Sequence, residues 1–292
     1  MCIRDSYDIV VYGGTSAGIS AAIQASRMGK SVALIEPTDC LGGLTTGGLG
    51  QTDIGNKQAI GGISREFYQN IRKYYDNPKN WKWQSKEEYA DDGQTRTSKE
   101  EDTMWTFEPS AAKYVFAEMI APEKIDIFYN LRLNRETGVK MKDKQISVIK
   151  METGESFKGK MFIDATYEGD LMAAAGVSYT IGRESNAVYG ETLNGVQANR
   201  LSYTLKRWTS TNGYNHNFVE GVDPYIIKGD PASGLLPGIS DKAPGVDGPG
   251  DKKIQAYCFR MTLTDHPDNR IPFQKPDNYR AVSYTHLRAH ET

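Results

Sequence analysis

A glycine-rich hexapeptide near the start of the chain has the composition of a phosphate-binding turn. Such turns let backbone N–H groups and the positive end of the next helix approach a pyrophosphate, because glycine has no Cβ to block the approach. Thr15 stands where the usual pattern has its middle glycine, so the match is imperfect. The alternative is a turn that only packs a helix against a strand. The hexapeptide consists of Gly13, Gly14, Thr15, Ser16, Ala17 and Gly18.

The segments around this turn predict the unit that positions it. Residues 8–12 form a short apolar run, as a buried parallel strand does, and residues 19–28 read as a helix with a face of small side chains. Residues 31–35 read as a second strand. Glu36 ends it, 18 residues after Gly18, close to the offset of an acid that binds a ribose. Together these segments make a complete βαβ unit of a dinucleotide-binding fold.

A second glycine cluster at residues 41–50 bears on which dinucleotide is bound. NAD needs only the first turn for its phosphates, whereas FAD sends a ribityl chain and a three-ring flavin past the edge of the sheet. Gly42 and Gly43 suit that need, because backbone without Cβ atoms can lie directly against a ligand. The cluster therefore favours FAD over NAD. The alternative is a loop that binds no ligand.

The ordered set of GGTSAG at 13–18, Glu36, LGG at 41–43 and DATYEGD at 164–170 resembles the flavoproteins with two dinucleotide-binding domains. More narrowly, it is similar to the FAD-dependent oxidoreductases related to the fumarate reductase and glutathione reductase groups. The segments FEPSAAKYVF and QAYCFRMTLTDHPDNR also resemble that family, so the similarity covers nearly all of residues 7–280. It implies an α/β fold: a Rossmann-like FAD-binding domain with an antiparallel β insertion and a partial second domain.

The resemblance also implies roles for single residues. The first turn and Glu36 would hold the ADP half of FAD, Gly42 and Gly43 would lie beside the pyrophosphate and ribityl chain, and Leu131 or Arg132 would lie near the adenine. Asp170 either binds a ribityl hydroxyl or caps the helix that follows it. The implied cofactor-binding residues are Gly13, Gly14, Thr15, Ser16, Ala17, Gly18, Glu36, Gly42, Gly43, Arg132, Ala165, Thr166 and Asp170.

Candidates for catalysis lie near the end of the chain. His266 is a candidate general base, and Arg260 is a candidate for orienting an anionic substrate. The alternative is a histidine in a surface loop and an arginine held in a salt bridge. Trp81 and Trp83 either shape a pocket or pack in a partly buried position. A single cysteine, Cys40, follows the second strand, so dithiol chemistry of the disulfide-reductase type is not expected.

Charge and hydropathy restrict the partners. The chain has 35 Lys and Arg against 37 Asp and Glu, with a net charge of −2, so no basic stripe points to nucleic acid. No run of about 18 apolar residues predicts a membrane span, and no cysteine cluster predicts a metal site. We expect an FAD-dependent oxidoreductase that transfers a hydride between the flavin and an unidentified small molecule. The alternatives are an NAD(P)H-dependent flavin reductase, using NAD(P)H or another electron carrier, and a nucleic-acid-associated flavoprotein of the tRNA-modifying type.

Both ends of the chain are set apart from this fold. Residues 1–6 and 282–292 resemble the translation of a sequencing adapter, read in opposite senses, and are expected to be artefacts. Between them we expect an FAD-binding domain over residues 7–182, with a polar excursion at about 77–103, and a partial substrate or cap domain over residues 183–281. No second glycine-rich turn into a helix follows the first domain, so the chain is expected to be a fragment that binds FAD poorly by itself.

Overall fold

A computed structural model describes most of the chain as two compact units. One unit comprises Met1–Tyr179 with Cys258–Arg270, and the other comprises Thr180–Tyr257 with Ile271–Thr292. The boundary expected near residue 182 stays a prediction. The described residues are 3–50, 55–89, 101–197, 223–242, 245–254, 261–277 and 279.

A mixed six-stranded sheet organises the first unit. Its strands are β1 (Ile3–Tyr12), β2 (Val32–Ile35), β3 (Ile125–Phe128), β4 (Val139–Lys142), β5 (Gln145–Lys150) and β6 (Ser156–Asp164). They lie in the order β3-β2-β1-β6-β5-β4. Strands β1, β2, β3 and β6 run parallel, whereas β4 and β5 join the edge beside β6 in antiparallel fashion. This arrangement confirms the predicted α/β class and its antiparallel insertion.

The described part of the first unit contains four α-helices, and the first of them matches the helix predicted over residues 19–28 closely. The first begins at Ser16, three residues before the predicted start at residue 19, because the Thr15 side chain accepts a hydrogen bond from the Gly18 N–H and caps it. The second buries Phe67, Ile71 and Tyr75, one turn apart, on a single face. The helices are α1 (Ser16–Arg27), α2 (Gly62–Asp76), α3 (Pro109–Ile120) and α4 (Asp170–Ala174).

Apolar side chains cover both faces of the sheet. Successive residues of a strand point to opposite faces, so Val11 packs with helices α1, α2 and α3 while Val10 packs on the other side with Ile149 and Phe157. Both valines are fully buried. Because both faces of the sheet are covered, a ligand can reach it only at the ends of the strands, where the loops begin.

Strand β1 begins earlier than the sequence predicts. Its pairing with β6 starts at Ile3 with Ser156, so residues 3–6, expected to lie outside the fold, continue the strand by backbone pairing. The adapter origin of these residues stays a prediction.

The second unit contains the antiparallel pair β7 (Tyr225–Ile227) and β8 (Asp230–Leu235). None of the helices in the described part of the chain has the length and hydropathy of a membrane span.

Candidate functional site

The turn from Gly13 to Gly18 sits at the carboxyl end of β1, against the segment that leaves β6. Gly13 has φ +100°, and a Cβ there would lie 2.8 Å from both the Ala165 carbonyl carbon and the Thr166 nitrogen. A Cβ on Gly18 would overlap the Gly13 carbonyl oxygen. The two outer glycines therefore let the turn close on itself and on the neighbouring loop.

Thr15, the departure from the usual glycine pattern, has a structural role of its own. Its buried Oγ1 accepts a hydrogen bond from the Gly18 N–H at 3.3 Å and donates one to the Ala165 carbonyl oxygen at 2.7 Å. The threonine thus caps α1 and fastens the turn to the loop after β6. The Ser16 and Ala17 N–H groups, in the first turn of the helix, have no acceptor within it. They lie at the positive end of a 12-residue helix, where an anion is stabilised.

The second glycine cluster is fastened directly to this turn. The Gly42 N–H donates to the Gly14 carbonyl oxygen at 2.7 Å, and Gly42 has φ +101°, a left-handed conformation that glycine adopts without strain. A Cβ on Gly43 would overlap the Tyr167 hydroxyl, which accepts a hydrogen bond from the Leu44 N–H at 2.8 Å. Three glycine-containing or polar segments, around residues 14, 43 and 167, therefore meet at one end of the sheet.

The loop after β6 is organised by Asp164, a residue to which the sequence motifs assign no role. Its Oδ1 accepts from the Thr166 N–H at 3.0 Å and from the Thr166 hydroxyl at 2.7 Å, and its Oδ2 accepts from the Met172 N–H at 2.8 Å. Asp164 therefore satisfies an N–H in the first turn of α4. The spacing Asp-x-Thr, typical of an Asx turn, is the sequence signal that could have indicated the bonds to Thr166, whereas the bond to Met172, eight residues away, has no such local signal.

One of the two roles predicted for Asp170 is wrong. Helix α4 begins at Asp170 itself and its N-cap is Gly169, with no side-chain capping bond. The cap is ruled out because Asp170 lies inside the helix, where its side chain instead pairs with Arg135 at 3.6 Å. The remaining role, contact with a ribityl hydroxyl, stays a prediction.

Glu36 is buried and largely occupied in holding the first turn. Its Oε2 accepts from the Gly14 N–H at 2.7 Å, and its Oε1 accepts from the Thr38 N–H at 2.8 Å and the Thr38 hydroxyl at 2.7 Å. A carboxylate has about four acceptor positions. Three serve the protein, so one on Oε2 remains for a ligand hydroxyl. The residue predicted to bind a ribose thus also stabilises the turn that would bind the phosphates.

A shallow depression of about 330 Å³ lies beside Glu36, beyond the ends of β2 and β3. The segment after β3 is held there because the Leu131 N–H donates to the Glu36 carbonyl oxygen at 3.1 Å. Of the two residues predicted near an adenine, Leu131 is part of the buried core, whereas Arg132 lines the depression. The lining residues are Pro37, Thr38, Asp39, Asn130, Arg132, Glu152 and Thr153.

Comparison with known families identifies this arrangement. The family model described as FAD dependent oxidoreductase matches residues 8–292, nearly the whole chain. The chain belongs to this family. The glycine turn, the second glycine cluster and the loop after β6 therefore belong to a member of this family, whose substrate the match does not specify.

Solved structures similar to this chain are diverse flavoenzymes. L-proline dehydrogenase from P. horikoshii is 16% identical, with a TM-score of 0.39, over 62% of this chain and 59% of that one. L-amino acid deaminase from Proteus vulgaris is 15% identical, with a TM-score of 0.41, over 62% of this chain and 52% of that one. Thioredoxin reductase from T. acidophilum is 17% identical, with a TM-score of 0.32, over 55% and 35%. The chain thus spans less than two thirds of each structure. No curated protein matches it in sequence.

A cleft of about 1200 Å³ in the first unit brings the polar excursion together with residues 262–265. Trp81 and Trp83 both line it, so the pocket-forming role is observed for both. Trp81 also packs: its Nε1 donates to the Tyr75 carbonyl oxygen at 2.7 Å, and its ring lies between those of Tyr75 and Tyr89. The two roles expected of these tryptophans are therefore compatible.

The candidate catalytic histidine lies at the edge of this cleft. The His266 ring is 5.0 Å, centroid to centroid, from that of Trp83, and its Nδ1 accepts from the Asp268 N–H at 3.3 Å. Thr264 and Asp265 line the cleft directly, whereas His266 follows them in the chain. Arg260 lies outside the described residues. The catalytic roles of His266 and Arg260 stay predictions.

Proposed function

We propose that this chain binds FAD at the end of its sheet and transfers a hydride between the flavin and a small-molecule substrate. The observation that carries the proposal is the convergence of the Gly13–Gly18 turn, the Gly42 backbone and the loop after β6 at the carboxyl ends of β1, β2 and β6. Ligands of open α/β sheets bind in crevices at these strand ends.

The residues present fit the ADP half of FAD. The N–H groups of Ser16 and Ala17 would bind the pyrophosphate, the remaining acceptor position on Glu36 Oε2 would take a ribose hydroxyl, and the depression lined by Arg132 would take the adenine. The three features adjoin one another, because Glu36 accepts from the Gly14 N–H of the turn and from Thr38, which lines the depression. The fit supports a dinucleotide with an adenosine half.

Other residues would contact the remainder of the cofactor. Gly42 and Gly43 would lie along the ribityl chain, Ala165 and Thr166 would provide the second line of contacts, and Asp170 would bind a ribityl hydroxyl. When bound, the flavin supplies the acceptor or donor of the two electrons. The protein then has to position a substrate, exclude water and move a proton.

We assign proton transfer to His266 through Nε2, because Nδ1 already accepts the Asp268 N–H. A matched pair tests this role: His266→Gln keeps a polar side chain without a titrating ring, while Asp268→Asn leaves the imidazole in place. We expect His266→Gln to lower the rate of flavin reduction about a hundredfold or more and Asp268→Asn to change it little. If the flavin is reduced at the same rate in both variants, His266 does not transfer the proton. The role of Arg260 in orienting an anion rests on the sequence alone.

The cofactor itself is tested by titrating the chain with FAD and with FMN and following the flavin fluorescence. We expect FAD to bind far more tightly than FMN, because the proposed contacts of Glu36 and Arg132 exist only when the adenosine half is present. Equal affinity for FMN would contradict the assignment of the depression and of Glu36. Flavin released by acid and separated by chromatography should likewise be FAD.

A further inference from the structure

The large cleft of the first unit has an aromatic wall. Tyr75, Trp81, Trp83 and Tyr89 line it together, and the ring of Trp81 stands 5.1 Å from that of Tyr75 and 5.5 Å from that of Tyr89. The Trp83 side chain is 40% exposed, so part of its ring is available to a ligand. Burial raises the pKa of Tyr75, which keeps that hydroxyl neutral. Clustered ring faces bind apolar surface, and they also attract cations.

Carboxylates dominate the charge of the same cleft. Among the described residues that line it, Glu88, Glu108 and Asp265 stand against one cation, Lys82. None of these four side chains takes part in the ion pairs found in the described part of the chain. The lining therefore carries excess negative charge that these ion pairs do not neutralise.

Local hydrogen bonds hold two of these carboxylates in place. Glu88 Oε2 accepts from the Ser85 N–H at 3.0 Å, and this bond, with the Ser85 hydroxyl, lowers the pKa of Glu88 and favours its charged form. Glu108 Oε2 accepts from the Tyr75 hydroxyl at 3.0 Å. Glu108 also stands at the N-cap position of α3, whose positive end stabilises a negative charge.

The cleft is connected to the proposed cofactor site by the second glycine cluster. One end of the cluster is fastened at Gly42 to the Gly14 carbonyl oxygen. At the other end the Phe107 N–H donates to the Gly50 carbonyl oxygen at 2.9 Å, and both Gly50 and Phe107 line the cleft. A cofactor that extends along this cluster from the nucleotide turn is directed towards the cleft.

We propose that the cleft binds a small organic cation, with an amine or quaternary ammonium head group placed against the aromatic rings and near the three carboxylates. Such groups are attracted both by ring faces and by negative charge. The charge of the lining favours a cation over the anion that the role suggested for Arg260 would need. Binding of the cation does not depend on the proposed function. Only the further step, that this cation is the molecule with which the flavin exchanges a hydride, rests on it.

Choline and its carbon isostere, in which a tert-butyl group replaces the trimethylammonium head, are probes that differ only in charge. The full chain is titrated with each by calorimetry. We expect choline to bind at least about tenfold more tightly than the neutral alcohol, the ratio that about 1.4 kcal/mol of charge-dependent attraction produces. Equal binding of the two probes, or no binding of choline, overturns the proposal.

Variants of the lining assign the binding to this cleft. Trp83→Leu should weaken choline binding about three- to thirtyfold, and Asp265→Asn should weaken it as well without disturbing any packed ring. Glu87→Gln is the matched control, since it removes the same charge from an exposed neighbour that does not line the cleft. If Glu87→Gln weakens binding as much as Asp265→Asn does, the attraction is not local and the proposal fails.

The same titrations separate this inference from the proposed function, because they need no flavin. Choline binding by a chain that binds FAD no more tightly than FMN supports the cleft and contradicts the cofactor assignment. FAD binding in a chain that does not discriminate between choline and its isostere supports the cofactor assignment and overturns the cleft's specificity.

Discussion

The glycine turn and the cleft offer different chemical groups to a ligand. At the turn proposed to bind the nucleotide, the groups offered to a ligand are backbone atoms. The glycines there allow close packing, and the buried carboxylate of Glu36 has three of its acceptor positions filled by the protein. At the cleft the contacting groups are side chains, the Trp83 ring is partly exposed, and three carboxylates lack ion-pair partners in the described part of the chain.

The difference predicts that substitutions in the two regions have different consequences. Backbone at the turn tolerates few changes, because a Cβ added at Gly13 or Gly18 meets another part of the main chain. A lining of side chains can be altered one residue at a time without disturbing the sheet. We therefore expect substitutions at the turn to affect folding and FAD together, and those at the cleft to affect ligand binding alone.

Gly13→Val should have the largest effect. The valine Cβ would lie 2.8 Å from the backbone around Ala165. The valine residue would also have to adopt φ +100°, which β-branched residues rarely do. We expect complete loss of FAD binding and a lower free energy of unfolding, measured by flavin titration and urea denaturation. Gly55→Val is the control, since nothing lies within 4 Å of the position that a Cβ would take there. Normal FAD stoichiometry in Gly13→Val would contradict the assignment of the turn.

Glu36→Ala should weaken FAD binding about ten- to hundredfold, because a hydrogen bond to a charged group contributes about 1.5–3 kcal/mol. It should also destabilise the apo chain, since the Gly14 N–H loses its acceptor in a buried position. The control Glu136→Ala removes an exposed carboxylate outside the site. An unchanged dissociation constant for FAD, with reduced stability, would leave Glu36 a purely structural residue.

Thr15→Val keeps the shape of the side chain and removes both hydrogen bonds of its hydroxyl. We expect the free energy of unfolding to fall by about 1–3 kcal/mol, from the lost cap and the lost bond to Ala165. The same substitution at Thr262, an exposed lining residue of the cleft, should change stability by less than about 0.5 kcal/mol. Stability is measured by thermal and urea unfolding. If Thr15→Val and Thr262→Val lower it equally, the turn is no more sensitive to substitution than the cleft.

Asp8→Asn should have the smallest effect, and only on the pH dependence of stability. Hydrogen bonds from Lys160 and Ser31 lower the pKa of Asp8 from its ordinary 3.8 to about 2. A folded-state pKa below the unfolded one adds stability above about pH 4, which is lost as the pH falls towards 2. Wild type and variant should therefore differ slightly at pH 7 and converge near pH 2. Asp8 lies in the middle of β1, and its carboxylate bonds to Lys160 and Ser31 and not to the turn, so FAD affinity should not change.

Local pattern was sufficient for the turn and its supporting unit. The apolar run of β1, the glycines that follow it and Glu36 are all within about one βαβ unit, where spacing along the chain translates directly into position. The sequence did not show that Thr15 caps α1 or that Asp164, and not Asp170, satisfies the start of α4, because each bond joins a side chain to backbone whose path is set by the fold.

By itself the sequence determined the α/β class and the family, since hydrophobic periodicity and a glycine motif are properties of neighbouring residues. Only the tertiary structure brought Trp81 and Trp83 together with Thr264 and Asp265, about 180 residues further along the chain. No local pattern encodes that approach, because the chain between them can take many paths and the packing of the whole unit selects one. The βαβ unit and its glycine turn could be predicted from residues in order along the chain, and the cleft could not.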